Sequence, residues 1–441
     1  MAWVALVFAG AVHAAEPDPR LGWFEEGRQA YETCEAEHAA GRRDAALAAC
    51  RTSYARMTQA LTPDNGAVRL ARGAVVGLLD ELGRPDEAAQ VLADAIDTQG
   101  AALEGYPALR WTDLMDLVKR WAEAGRLNEA QPYAEQALAV VEADEQALPA
   151  GSRAVTLQSL GFLAHESGRY AVAESHRREV VRQVVAAGAA ADAGWLPRAL
   201  TDLGNTLQQM GREDEAQRVH REAVAAAERP GVDTPARMGA LNALGVTLTN
   251  QAEYVSAEDA YRRALALAPS SDLQRIYVLK NLGALLLLMD QVDEAEQATR
   301  KALEAAESGW GPLHPATLTA VEDLALVMEH RGRFAEALTL HRRSLAGSQQ
   351  VLRPGHPTTA LRANNLAVLL ERLGDRDEAI SLLERSLADA RSAYGPVHPT
   401  VATRQTSLAQ LLSNRGDFPR AEPLFRDALQ QLEQTRGPDH P

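Results

Sequence analysis

The stretch "RANNLAVLLERLGDRDEAI", from Arg362 to Ile380, places two adjacent asparagines at the entrance to a leucine-rich run. Leu366, Leu369, Leu370 and Leu373 fall at i, i+3, i+4 and i+7, the spacing of one apolar helical face. Asparagine is a mediocre helix former, because its amide competes for nearby backbone groups. Asn364 and Asn365 therefore need a reason to be there. Gly374 follows the apolar run, and Ala379 lies five residues beyond it.

The same signature recurs along the chain. Gly332…Ala337 and Gly416…Ala421 repeat it nearby, and Gly211…Ala216, Gly168…Ala173, Gly125…Ala130, Gly83…Ala88 and Gly41…Ala46 repeat it upstream. Two degenerate copies use Ala252…Ala257 and Asp290…Ala295. Successive turn positions (41, 83, 125, 168, 211, 252, 290, 332, 374 and 416) are separated by 38 to 43 residues. Seven residues before most turns stands a small residue after leucine, as in Leu203-Gly204, Leu244-Gly245 and Leu366-Ala367. Each unit reads as a helix, a tight turn and a second helix, with small residues letting the two approach. One such hairpin cannot bury its own apolar face, whereas a stack of them can. The spacing predicts an all-α solenoid of about ten units.

The pattern "LG…G…EA…AL" resembles the tetratricopeptide repeat (TPR), whose usual length is about 34 residues. The 42-residue spacing, with "GPLHP", "RPGHP", "GPVHP" and "GPDHP" between units, resembles the kinesin light chain type. The resemblance spans residues 21–441, is strongest in the last three units, and implies a right-handed superhelix. In that family the first helix of each unit lines the concave surface. Numbering the Leu-small pair 7 and 8, the family's groove positions are 2, 5, 9, 12 and 13. Those positions here include Gln158, Thr201, Asn205, Gln208, Asn242, Asn250, Asn364, Arg372, Gln410 and Asn414. Amides and hydroxyls dominate the row, where helix stability alone would select Ala, Glu or Lys. An amide both donates and accepts, so a ladder of them can satisfy an extended peptide backbone. Asn364 is thus expected in the groove and Asn365 against the neighbouring unit. The competing reading is that the amides solvate the inner surface or bridge adjacent repeats.

The clamp by which some TPR proteins hold an acidic C-terminus needs an Asn after the small residue in two successive units. Asn205 matches, but Phe162 and Val246 occupy the neighbouring places, so the clamp is incomplete. A metal reading of His314-Pro315, His356-Pro357, His398-Pro399 and His440-Pro441 fails on distance. Neighbouring helix axes lie about 8–10 Å apart, while zinc needs nitrogens at about 2 Å. The preceding glycines suit helix ends, and the prolines suit the first position of the next helix. His176, His220 and His341 fall beside arginine on second helices and read as surface residues. Cys34 and Cys50 lie on opposite sides of the first turn, where an antiparallel hairpin sets them face to face. They form a disulfide if the chain is exported and remain two small core residues if it is cytoplasmic.

A formal net charge of −15 argues against nucleic-acid binding, because phosphate neutralisation needs a basic surface. The N-terminus "MAWVALVFAGAVHAAEPDPR" carries an apolar run too short to span a bilayer. Small residues Val12 and Ala14 at the −3 and −1 places make residues 1–15 read as a signal peptide, so export to the periplasm is expected. Against that reading, the run is preceded by no Lys or Arg. A CxxC motif, a nucleophile elbow, a P-loop and HExxH are all absent, and neither cofactor nor metal is expected. Leu424, Phe425, Leu429 and Leu432 repeat the internal apolar spacing at the last helix. Because a terminal repeat normally has a polar outer face, the natural gene is expected to continue past Pro441, or this end to dock onto a partner or a second copy. The expected function is a non-catalytic scaffold that binds a protein or extended peptide. The alternative is the recognition part of a larger bacterial enzyme, a CHAT-type protease or a membrane-linked kinase.

Overall fold

The computed structural model describes residues 18–99, 103–188, 193–267, 273–352 and 354–436. The apolar segment of residues 1–15 lies outside the described residues, as do His440 and Pro441. The chain divides into two compact units, one through Arg212 and one from Glu213.

The first unit holds α1 (Pro19–Ala39), α2 (Arg43–Ala60), α3 (Gly66–Glu81), α4 (Pro85–Gln99), α5 (Pro107–Glu123), α6 (Leu127–Ala143), α7 (Ser152–Glu166), α8 (Tyr170–Ala187) and α9 (Trp195–Gln209). The second holds α10 (Glu213–Ala227), α11 (Thr234–Asn250), α12 (Tyr254–Leu267), α13 (Arg275–Leu288), α14 (Val292–Trp310), α15 (Pro315–His330), α16 (Phe334–Val351), α17 (Pro357–Leu373), α18 (Arg376–Tyr394), α19 (Pro399–Arg415) and α20 (Phe418–Arg436). No strand occurs among the described residues. Within each unit every helix packs on the next in the chain. First helices also touch first helices one repeat on, as α5 does α7 and α13 does α15. This is the nearest-neighbour packing of an all-α solenoid.

The break between paired helices has one backbone form throughout. Gly41, Gly83, Gly125, Gly168, Gly211, Gly332, Gly374 and Gly416 take φ between 69° and 92°. Ala252 and Asp290 occupy the same place with φ of 59° and 58°, the two non-glycine residues of positive φ among those described. A left-handed conformation costs an L-residue roughly 1–2 kcal/mol, less for Asp, whose side chain can bond locally. Ala252→Gly is therefore expected to stabilise by about 0.5–1 kcal/mol and Asp290→Gly by less. Urea midpoints of the two variants check this, and a lower midpoint for Ala252→Gly would contradict it.

Small residues let the paired helices close up. A Cβ placed on Gly245 of α11 would stand 2.5 Å from the Tyr261 ring on α12. Tyr261 is fully buried there, and burial pushes its phenol up to about 12. The first core gathers Leu79, Leu114, Leu117, Val141 and Leu163; the second gathers Leu366, Leu370, Ile380, Leu383 and Leu412. Each leucine so buried contributes about 1.5–3 kcal/mol. Leu373 departs from the expected apolar face: it is exposed, because α17 ends at that residue and the turn follows.

The His-Pro pairs have a role that spacing alone did not identify. Pro315, Pro357 and Pro399 each open a helix, and the histidine before each is its N-cap. Nδ1 of His314, His356 and His398 accepts from the backbone N–H of Ala316 (3.2 Å), Thr358 (3.2 Å) and Thr400 (3.1 Å). Each bond satisfies one of the orphan donors of a helix start. Gly311 and Gly395 end the preceding helices with φ of 84° and 79°. Gly355 differs: α16 is capped at Leu352, and Gly355 lies in the loop beyond.

Candidate functional site

The candidate site is the row of first-helix positions that recur once per repeat. In the first unit of the fold, Gln158 on α7 donates from Nε2 to the Asp202 carboxylate on α9. Burial pushes Asp202 above the usual carboxylate range, although Arg177 and Gln158 work against the shift. Arg177, buried on α8, donates to the Thr206 hydroxyl and to His165 Nδ1 at 3.2 Å. Desolvation holds both Arg177 and His165 below their ordinary values. Thr201, Asn205 and Gln208 stand half-buried on α9, and Phe162 and Val155 are exposed on α7.

In the second unit, Asn242 on α11 accepts from Asn281 Nδ2 on α13 at 2.9 Å. Arg372 pairs with Glu329 at 2.9 Å, its guanidinium 5.0 Å from the Phe334 ring centroid. Gln410 donates to Asn414 at 2.9 Å, and Asn414 donates to Glu371 at 3.2 Å. Asn250 is exposed on α11. Asn364 lines a cavity between α17, α18 and α19, whereas its neighbour Asn365 donates to Glu322 at 2.8 Å on α15. Of the ten row residues, then, Gln158, Asn242, Arg372 and Asn414 bridge to the adjacent repeat.

Two histidines correct the sequence reading. His220 and His341 are fully buried instead of lying at the surface, because α10 turns that face toward α11 and α16 turns it toward α15. His220 Nδ1 meets the Thr247 hydroxyl at 2.7 Å. His341 lies between two carboxylates, with Nδ1 3.0 Å from Glu322 and Nε2 2.8 Å from Glu329. His176, by contrast, is half-buried.

Sequence reasoning left out the row in the seventh and eighth repeats. Counting from Leu282-Gly283 and Leu324-Ala325 assigns Tyr277, Leu288 and Leu326 to it. All three are exposed, as are Leu361 and Val368 one repeat on. Elsewhere, Cys34 and Cys50 are bonded to each other with Cα atoms 5.2 Å apart. On α20, Leu424 and Phe425 are half-buried, and Leu429 is exposed. No helix among the described residues is long and apolar enough to cross a membrane.

No curated protein matches the chain. Among solved structures, the apo form of the quorum sensor NprR from B. thuringiensis is 13% identical, covering 80% of this chain and 99% of its own, with a TM-score of 0.53. That likeness is one of fold. A putative kinesin light chain with nearly identical TPR-like repeats from Podosopora anserina is 20% identical over 55% of this chain and 98% of its own (TM-score 0.37). BtubC (BKLC) from P. vanneervenii is 20% identical over 62% of this chain and 93% of its own (TM-score 0.36). The tetratricopeptide repeat family matches residues 195–270, 272–350, 319–392 and 358–434, more than half of the chain. With its left-handed turns and close-packed helix pairs, the chain belongs to the tetratricopeptide repeat family.

Proposed function

We propose that the chain is a non-catalytic scaffold whose first helices hold an extended segment of a partner protein. One observation carries this reading. Tyr277, Leu288, Leu326, Leu361 and Val368 are 38–61% exposed at the recurring row positions of α13, α15 and α17. A soluble surface carries few exposed large apolar side chains beyond what function needs, and exposed apolar patches mark interaction sites. Asn250, Asn364 and Gln410 add donors and acceptors suited to a peptide backbone. Within the row, Arg372 and Glu329 neutralise each other. A partner segment that turns apolar side chains toward α13, α15 and α17 fits this part of the row best. The bonded Cys34–Cys50 pair supports a further reading, that the chain is exported, because such bonds persist in oxidising compartments.

The triple variant Tyr277→Ser, Leu326→Ser, Val368→Ser is expected to keep its urea midpoint, since these side chains contribute little to the core. Partner recovery by the full chain, quantified by mass spectrometry, should fall about tenfold or more, the effect of losing one well-buried contact. Undiminished recovery would move the interface off this row.

A further inference from the structure

Arg362 and Arg404 hold the same position in consecutive repeats, 42 residues apart, and both are buried. Their surroundings differ. Arg362 donates from Nη1 to the Ser348 hydroxyl and from Nη2 to the Thr319 hydroxyl at 3.1 Å. One period later, Ser348 and Thr319 are replaced by Ala390 and Leu361, and neither supplies a side-chain acceptor. Arg404 donates from Nη2 to the carbonyls of Gly355 (3.0 Å) and His356 (3.2 Å). Its Nε and Nη1 have no partner, although the residue is only 5% exposed. A buried donor left unpaired is costly, more so on a cation, and calls for an acceptor.

Arg404 also lines the cavity between α17, α18 and α19, whose volume is about 270 Å³. Ser386, Thr400, Ser407, Asn364, Leu361 and Leu383 line it too. That size suits one side chain, since cavities for whole small molecules run to about 300–1,000 Å³. Burial holds Arg404 below its ordinary value, and the Asp389 carboxylate on α18 works against that shift.

We propose that this cavity receives a carboxylate, presented by an acidic side chain of the bound segment, with Arg404 as its counter-ion. A carboxylate accepts several hydrogen bonds and pairs strongly with guanidinium, so it replaces the acceptors lost with Ser348 and Thr319. The site differs from the two-asparagine clamp, because its charge sits at a packing position between helices. Only the source of the carboxylate rests on the partner-binding reading; the cavity stands by itself.

The test uses full-length protein with isotope-labelled arginine, following the Arg404 Nε–H resonance by NMR. The probes are N-acetylglutamate methylamide, its glutamine counterpart and inorganic phosphate. A saturating shift with the glutamate compound alone is expected. The double variant Leu361→Thr, Ala390→Ser rebuilds the surroundings of Arg362 without removing a buried charge. It should weaken that probe about tenfold while the protein stays folded. An equal response to phosphate means an unselective anion hole, and no response to any probe means a packing defect; either result overturns the proposal. A short Gly-Ser peptide with a central glutamate, compared with its glutamine form, separates the two readings. If both forms bind equally, the cavity proposal fails and partner binding stands. If the single-residue probe saturates Arg404 but neither peptide binds, the cavity stands and the partner-binding reading fails.

Discussion

Replacing His341 by alanine is expected to cost the second unit about 3–5 kcal/mol, the usual price of breaking a buried ion pair from one side. His341 is fully buried, and both ring nitrogens bond to carboxylates, Glu322 at 3.0 Å and Glu329 at 2.8 Å. Removing the ring leaves Glu322, itself 7% exposed, with the uncharged side chains of Asn365 and Ser344 as its bonding partners. The loss should depend on pH. Burial by itself would lower the imidazole, but the bonds and charges of Glu322 and Glu329 outweigh it, and the group titrates above its ordinary 6.5. Its contribution is complete below that value and is lost as pH rises through the raised one. Asp323 acts in the same direction. Burial pushes it up to about 6, so its contribution is present below 3.8 and lost as pH climbs through about 6. Burial would raise Glu322, but its bond to His341 holds it below 4.5, so it loses stability only as pH falls through that lowered value. Urea unfolding of wild type and His341→Ala at about pH 5 and about pH 8 is the measurement, with the larger gap expected at the lower pH. Equal gaps at both values would show that His341 packs as a neutral ring.

Reducing the Cys34–Cys50 bond is expected to cost about 3 kcal/mol, because the bond closes a loop of this order in the unfolded chain. It spans a separation of 16 residues and ties α1 to α2, with both cysteines buried. The loss falls on this helix pair, since stability in a repeat array is approximately a sum over units and their neighbours. Hydrogen exchange with and without reductant should show the amides of α1 and α2 losing protection first. Two thiols that react in denatured, unreduced protein from an oxidising compartment would remove both the bond and the export reading.

The fold was legible because its signals are local and repeated. Leucine spacing such as Leu366, Leu369 and Leu370, and a turn residue every 38 to 43 positions, state one helix pair many times over. Even the degenerate turns at Ala252 and Asp290 hold the glycine-like backbone, because helices packed on both sides leave the chain no other path. The candidate site was legible only as a row of positions. Asn364 and Asn365 are adjacent in sequence; one lines a cavity and the other bonds to Glu322, 43 residues away. The amides of Gln158, Asn242 and Asn414 likewise reach partners 44, 39 and 43 residues off.

By itself, then, the sequence determined the helix-turn-helix unit, its period and the small residues that let helices close, all set by backbone preference and apolar spacing within one unit. The tertiary structure decided which polar side chains are used up between repeats and which stay open. That outcome depends on the residue one period away and on the angle at which two helices meet. His341 is buried between carboxylates while His176, on another second helix, is half-buried. Arg362 donates from Nη1 and Nη2 to hydroxyls, while Arg404, one repeat on, keeps Nε and Nη1 unpaired. A repeat pattern preserves the packing position of a side chain; its hydrogen-bond partner belongs to the neighbouring unit, where the pattern leaves the residue free to change.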